Sequence, residues 1–126
     1  MNLPVIIAVV DDDPGVRGSV TSLLRSAGMT GMAFSGAEEL LACGTQATLA
    51  CILTDLHMPD MTGLELQAEM TRRGWRNPLI VMTAYPTNTA RSQALGAGAI
   101  AFLTKPLNPD ALLEAIEDAI ASSARA

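Results

Sequence analysis

The sequence predicts an α/β domain in which a parallel sheet is covered by helices on both faces. Short apolar runs alternate with segments whose apolar residues recur at helical spacing, a pattern typical of repeated strand–helix–strand units. The apolar runs are nearly continuous, as expected for strands that are buried on both faces. The chain has 126 residues, of which 49% are hydrophobic and 17% charged, so it can form one domain with a core of its own.

The first two strands and helices are predicted from their apolar patterns and the residues that end them. Residues 5–10 are a run of valine, isoleucine and alanine that stops at three aspartates and a proline, which indicates a buried strand. Residues 14–27 have apolar side chains at helical spacing, and Gly28 follows as a C-terminal cap. A second strand, weaker in pattern, is predicted at residues 31–34, and a short helix follows at residues 37–43.

The central part of the chain repeats this alternation. Residues 49–53 form an apolar run that ends at Thr54-Asp55, which predicts a third strand. After two turn-forming residues, a helix is predicted over residues 64–73 and is stopped by Gly74. A fourth strand is predicted over residues 78–82, just before Thr83.

The last elements are a helix at residues 87–95, a fifth strand at residues 100–103 and a final helix at residues 110–120. Small and polar residues follow this helix. We therefore expect one domain over residues 1–121, and a frayed tail or the start of a linker over residues 122–126.

The charge and hydropathy of the chain argue against several function classes. The net charge is -5 and the isoelectric point is about 4.6, so the surface would repel nucleic-acid phosphates, and direct contact with DNA or RNA is not expected. No apolar run reaches the roughly 20 residues needed to span a bilayer, and the first residues do not resemble a signal peptide. These observations predict a cytoplasmic protein that makes no contact with a membrane.

Ionisable and hydroxyl residues follow four of the predicted strands. Because the carboxyl ends of parallel strands meet at one edge of a sheet, their side chains are expected to lie together there. They are Asp11, Asp12 and Asp13 after the first strand, Asp55 after the third, Thr83 after the fourth and Lys105 after the fifth. Helix capping explains Asp13, which precedes a proline at the start of a helix, but it does not explain the other acids.

The residue types at this edge indicate phosphoryl-transfer chemistry. Clustered carboxylates repel one another unless a cation is bound, and Mg²⁺ accepts carboxylates together with phosphate oxygens. Lys105, the only lysine of the chain, supplies a positive charge for an anion, and Thr83 supplies a hydroxyl donor. Carboxylates, a metal ion, a hydroxyl and an ammonium group together can bind and transfer a phosphoryl group.

Four segments of the chain carry its most distinctive motifs. They are Val9-Val10-Asp11-Asp12-Asp13, Asp55-Leu56-His57-Met58-Pro59-Asp60-Met61-Thr62-Gly63, Val81-Met82-Thr83-Ala84 and Ala97-Gly98-Ala99-Ile100-Ala101-Phe102-Leu103-Thr104-Lys105-Pro106. Together these segments resemble the receiver domain of bacterial two-component response regulators, and their sequence is most similar to that of the FixJ-type transcriptional regulators. The resemblance covers nearly the whole chain. It implies a flavodoxin-like (βα)5 three-layer sandwich whose five parallel strands have the order 2-1-3-4-5.

The resemblance also assigns a phosphoacceptor and a metal site. Asp55 corresponds to the aspartate that receives the phosphoryl group. Asp11, Asp12 and Asp55, together with the backbone carbonyl of His57, correspond to the Mg²⁺ site, with Asp12 bound directly and Asp11 through water. His57 stands two residues beyond Asp55, and Tyr85 stands two residues beyond Thr83. In the family, residues at these two positions tune the lifetime of the phosphoryl group.

Further roles carried over from the family concern the response to phosphorylation. Thr83 and Lys105 correspond to residues that contact phosphoryl oxygens. Phe102 corresponds to an aromatic switch, whose ring we expect to leave solvent for the space behind Thr83 when Asp55 is phosphorylated. Pro106 corresponds to the proline that follows a cis peptide bond.

The function that the resemblance implies is a phosphorylated signalling switch rather than an enzyme. A cognate sensor histidine kinase would donate the phosphoryl group, and the face formed by the last two strands and helices would change. The expected consequences are phosphorylation-dependent homodimerisation, or transcription regulation through a domain outside this chain.

The residues themselves argue against two other classes of protein. A Mg²⁺-dependent phosphohydrolase of the dehalogenase type would carry a second acid where His57 stands. A flavodoxin-like flavin carrier would have a phosphate loop rich in serine, threonine and glycine where Asp11, Asp12 and Asp13 stand.

Overall fold

Five strands and five α-helices alternate in the computed structural model, which describes residues 4–124. The strands are β1 (Ile6–Val10), β2 (Thr30–Phe34), β3 (Leu49–Asp55), β4 (Leu79–Thr83) and β5 (Ala101–Thr104). The helices are α1 (Pro14–Ser26), α2 (Ala37–Leu41), α3 (Gly63–Arg72), α4 (Asn88–Gly96) and α5 (Pro109–Ala124), and a 3-10 turn at Gln46–Thr48 precedes β3.

The strands form one parallel sheet in the order β2-β1-β3-β4-β5. This order and the three-layer arrangement confirm the predicted flavodoxin-like fold. The order reverses at β1, because the chain first adds β2 on one side and then β3 on the other. Residues that follow β1 and β3 therefore meet in the crevice where such sheets bind ligands.

Two apolar layers hold the helices on the sheet, and the alternation of side chains along β1 shows the division. Ile7 and Val9 pack against α1 and α5, whereas Ala8 and Val10 pack on the side of α2, α3 and α4. All four residues are completely buried. A strand covered on both faces has no solvated side, which is why the sequence of β1 is a continuous apolar run.

The start of α1 agrees with the capping predicted for Asp13. The Asp13 carboxylate accepts a hydrogen bond of 2.8 Å from the backbone N–H of Gly15, and Pro14 is the first helical residue. Gly28 follows α1 with a φ of 81°, a left-handed conformation that glycine adopts without strain. Asp13 and Pro14 thus fix where α1 begins, and so they set the position of the acids between β1 and α1.

Two predictions about the second half of the chain are wrong. The final helix runs to Ala124, so residues 122–124 of the predicted tail are helical, because alanine favours helix continuation. Residues 125–126 lie outside the described part.

The ring of Phe102 is not solvent-exposed: the residue is 7% exposed and packs with the core on the α2–α3–α4 side of the sheet.

The lengths of the described helices bear on membrane insertion. Within residues 4–124, none of the helices combines the length and apolar character required to cross a bilayer.

Candidate functional site

A cavity of about 270 Å³ opens at the carboxyl edge of the sheet. It lies where the chain leaves β1, β3, β4 and β5, as predicted from the residues at the strand ends. Its walls are formed by Asp11, Asp12, Asp13, Asp55, His57, Ala84, Tyr85 and Lys105. Four carboxylates and one ammonium group therefore surround one small volume.

Asp11, which follows β1, is completely buried and is held by hydrogen bonds to its side chain and its backbone. Its Oδ1 accepts a hydrogen bond of 2.9 Å from the backbone N–H of Asp13, and its Oδ2 accepts one of 2.7 Å from Nζ of Lys105. Its backbone carbonyl accepts a hydrogen bond of 2.7 Å from Nη1 of Arg17. A buried carboxylate is tolerated when charged and polar groups pair with it in this way.

Asp55 is the last residue of β3 and is 5% exposed. Burial raises the pKa of its carboxyl, and the charge of Asp11 raises it further, while Lys105 and the backbone N–H of His57 act in the opposite direction. Gly63 packs directly beneath Asp55, because a Cβ at this position would lie only 2.7 Å from the Asp55 carbonyl oxygen. The backbone of Asp55 therefore packs against a position that requires glycine.

Lys105 follows β5 and brings the positive charge to the acids. Its backbone N–H donates to the carbonyl of Thr83 at 2.8 Å, and the peptide bond to Pro106 is cis, as predicted. Its Nζ is 2.7 Å from Asp11 Oδ2 and 3.4 Å from Asp55 Oδ1. Burial alone would lower the pKa of Lys105, but its hydrogen bond to Asp11 and the charges of Asp55 and Asp11 outweigh burial, so its pKa is raised.

Three of these acids could bind a metal ion together. One carboxylate oxygen each from Asp11, Asp12 and Asp55 lies within 4.8 Å of the others. Asp12 is exposed, unlike the other two, so its carboxylate is accessible to an incoming ion. A set of carboxylate oxygens fits Mg²⁺, which prefers hard oxygen ligands.

Thr83 lies beside the cavity, and its hydroxyl is already in contact with the next loop. The residue is completely buried at the end of β4, and its Oγ1 accepts a hydrogen bond of 3.0 Å from the backbone N–H of Tyr85. Since a hydroxyl that accepts one bond retains its own hydrogen, the Thr83 hydroxyl remains available as a donor. The cavity wall next to it is formed by Ala84 and Tyr85.

Two aromatic rings flank the mouth of the cavity. The rings of His57 and Tyr85 are 6.0 Å apart between centroids and meet edge to face. Tyr85 is 75% exposed and His57 is also exposed. The structure therefore brings together the two positions to which the resemblance assigns control of phosphoryl lifetime.

Arg17 was not identified from the sequence as part of this site. It lies in α1, six residues after Asp11, and contacts the backbone carbonyl of that residue. A signal was present, because a cation near the N-terminus of a helix is opposed by the helix dipole. A basic residue at this place in α1 therefore indicates a local acceptor.

Comparisons with known proteins agree with this geometry. The family model described as response regulator receiver domain matches residues 7–117. The chain is 36% identical over 115 residues to the transcriptional regulatory protein TdiR of Thauera aromatica, covering 91% of this chain and 51% of TdiR. It is 37% identical over 118 residues to the transcriptional regulatory protein FixJ of Azorhizobium caulinodans, covering 94% of this chain and 56% of FixJ.

A solved structure shares both the fold and the sequence. The crystal structure of FixJ-N superposes with a TM-score of 0.86 at 32% identity, covering 94% of this chain and 95% of that one. The likeness to FixJ-type regulators that the sequence indicated is thereby confirmed. The chain spans about half the length of the curated relatives it matches. The chain belongs to the response regulator receiver domain family.

Proposed function

We propose that this chain is the phosphoacceptor of a two-component system and that Asp55 receives the phosphoryl group from a sensor histidine kinase. The observation that carries the proposal is the placement of the buried Asp55 carboxylate beside Asp11, Asp12 and Lys105 in one cavity. A carboxylate in such surroundings can act as a nucleophile toward phosphorus, because the neighbouring cationic group can stabilise the charge on the phosphoryl oxygens.

The transfer itself exchanges one bond to phosphorus for another. A carboxylate oxygen of Asp55 attacks the phosphorus of the phosphohistidine, the phosphorus–nitrogen bond breaks, and its electron pair remains on the imidazole. The product is an acyl phosphate on Asp55. Hydrolysis reverses the state: water attacks the phosphorus, the bond to the carboxylate oxygen breaks, and inorganic phosphate leaves. The protein thus acts as a switch that assists its own phosphorylation and dephosphorylation.

The cofactor proposed for this step is Mg²⁺, held by Asp11, Asp12, Asp55 and the backbone carbonyl of His57. When bound, the ion would neutralise negative charge on the carboxylates and on the incoming phosphoryl oxygens. The residues of the chain supply the remaining functions. Lys105 pairs with a phosphoryl oxygen, and the Thr83 hydroxyl donates to another.

Phosphorylation at Asp55 is proposed to change the position of α4. The Thr83 hydroxyl would turn toward the phosphoryl group, and the Tyr85 backbone N–H that bonds to it would move with it. Three residues beyond Tyr85, α4 begins, and Ala94 is the buried residue of that helix. A helix with so little buried surface can shift at small cost. Phe102, already inside the core beside α4, would repack rather than enter from solvent.

The outputs proposed for this change are homodimerisation through α4, β5 and α5 and regulation of transcription. Ile100, just before β5, is 38% exposed and offers apolar surface on this side of the domain. Transcriptional control is proposed because TdiR and FixJ are named transcriptional regulatory proteins. The exposed rings of His57 and Tyr85 are proposed to control the access of water to the acyl phosphate.

The test is to locate the modified residue. The protein is treated with acetyl phosphate in millimolar Mg²⁺, and the added mass is mapped by mass spectrometry in the wild type, in Asp55→Asn and in Asp60→Asn. We expect the label on Asp55 in the wild type and in Asp60→Asn, and no label in Asp55→Asn.

Asp60 is a matched control because it is an exposed acid of the loop that follows β3 and does not line the cavity of Asp55. Label that persists in Asp55→Asn, or that lies on His57, would refute the assignment of Asp55.

A further inference from the structure

Arg17 links the first helix to the end of the first strand at the edge of the carboxylate cavity. Its Nη1 donates a hydrogen bond of 2.7 Å to the backbone carbonyl of Asp11. Its own backbone N–H donates to the carbonyl of Asp13 at 3.1 Å, inside the first turn of α1. The residue is partly buried. Arg17 therefore contacts the main chain on both sides of Asp12.

The segment from Asp11 to Asp13 is consequently fixed at both ends but open in the middle. Asp11 is held by Arg17 and Lys105, and Asp13 is held by its bond to Gly15 at the start of α1. Between them, Asp12 is exposed. The backbone contacts thus determine where the Asp12 carboxylate lies relative to Asp11 and Asp55, with which it shares the 4.8 Å cluster of oxygens.

We infer that Arg17 is a positioning residue for the divalent-cation site: it holds the end of β1 so that the carboxylates of Asp11 and Asp12 face Asp55. The inference rests on the proposed function, because it concerns the proposed metal site. Outer groups that orient the ligands of a metal commonly change its affinity when they are removed, although they do not touch the ion.

The direction in which Mg²⁺ affinity changes when Arg17 is replaced tests this inference. A guanidinium near three carboxylates competes electrostatically with a divalent cation, so removing its charge alone would strengthen cation binding. Loss of the hydrogen bond to Asp11 would have the opposite effect, because the carboxylates would no longer be held together. The two roles of Arg17 therefore predict opposite changes in Mg²⁺ affinity.

The experiment compares Arg17→Met, Arg17→Lys and Arg25→Met with the wild type. Arg25 is exposed in the last turn of the same helix, so its substitution removes an equal charge without touching Asp11. The Mg²⁺ affinity is obtained from the rise of the thermal unfolding midpoint with Mg²⁺ concentration. The rate of phosphorylation by acetyl phosphate is measured over the same concentrations.

We expect Arg17→Met to bind Mg²⁺ about tenfold more weakly than the wild type, and to regain its phosphorylation rate at saturating Mg²⁺. Arg17→Lys, which retains a donor and the charge, should recover part of the affinity, and Arg25→Met should bind like the wild type. If Arg17→Met does not fold, Arg17→Lys is compared with the wild type instead, and it is expected to bind Mg²⁺ more weakly than the wild type by less than about tenfold.

Equal or tighter Mg²⁺ binding in Arg17→Met, or in Arg17→Lys if only that variant folds, would overturn the positioning role. A wild type that shows no response to Mg²⁺ would instead contradict the metal site of the proposed function. The two failures are therefore distinguishable, since the second appears before any variant is made.

Discussion

Lys105 and Asp11 are 94 residues apart in the sequence, yet Nζ of Lys105 lies 2.7 Å from Oδ2 of Asp11. The same ammonium group is 3.4 Å from Oδ1 of Asp55. One cation thus faces two buried carboxylates, and Asp12 adds a third negative charge beside them. The cavity therefore carries net negative charge before any ligand binds.

Replacing Lys105 should destabilise the protein when no divalent cation is present. In Lys105→Ala, the buried Asp11 loses its charged partner, and we expect the free energy of unfolding to fall by about 1–3 kcal/mol. Mg²⁺ should restore more stability to this variant than to the wild type, since it would replace the missing positive charge. Urea unfolding with and without Mg²⁺ measures both effects. Arg76→Ala removes a cation that is exposed, and equal losses in the two variants would contradict this prediction.

Removing the charge of Asp55 should stabilise the protein at neutral pH in the absence of Mg²⁺. Because the pKa of Asp55 is raised in the folded state, the folded protein binds a proton more readily than the unfolded chain, and ionisation of Asp55 lowers stability as pH rises through that pKa. Asp55→Asn should therefore unfold at higher urea concentration than the wild type at pH 7. The difference should disappear below about pH 3, where the carboxyl is protonated in both the folded and the unfolded state.

The control for Asp55→Asn is Asp60→Asn, which exchanges an exposed carboxyl of the neighbouring loop. We expect its stability to follow the wild type throughout the titration. An Asp55→Asn variant that was less stable than the wild type at pH 7 would show that its carboxylate is a net stabilising partner of Lys105.

The metal response should depend on Asp12 and not on Asp13, although both line the cavity. At a Mg²⁺ concentration of about 100 times the dissociation constant, the wild type should gain about 2.7 kcal/mol of stability. Asp12→Ala should lose this gain. Asp13→Ala should lose about 1 kcal/mol in all buffers, because it removes the cap of α1, and should keep the gain from Mg²⁺. Equal responses of the two variants would contradict the assignment of Asp12 as a ligand.

Phosphorylation should promote self-association through the surface formed by α4, β5 and α5. We expect a monomer without modification and a dimer when Asp55 is phosphorylated or bound to a beryllofluoride mimic, as measured by sedimentation. Amide hydrogen exchange should change mainly within residues 84–95 and 100–106, because Thr83 connects the cavity to this region through Tyr85. The Asp55→Asn variant is the matched control. A change confined to α1 would contradict this coupling.

The fold was predictable from the sequence because the patterns that indicate it lie within short segments of the chain. The β-branched run of β1 is buried on both faces, and such runs alternate with amphipathic helices, which requires a parallel sheet. The acids and the lysine were identifiable for the same reason, since each stands at the end of a strand or directly after it, and the strands of such a sheet end together. Asp13 as a helix cap likewise follows from its place before Pro14.

Other features depend on contacts between distant residues, and only the tertiary structure determines them. The sequence pattern could not show that Phe102 is covered by the core beside α4, or that the hydroxyl of Thr83 bonds to the Tyr85 amide. Nor could the pattern identify the acceptor of Arg17, because this acceptor is a backbone carbonyl, which every residue carries. Residue types at strand ends thus determine which chemistry is possible at this edge. The packing of α1 and β5 at this edge of the sheet decides which charged side chains form ion pairs. An ion pair depends on distances of a few ångströms, which no local pattern specifies.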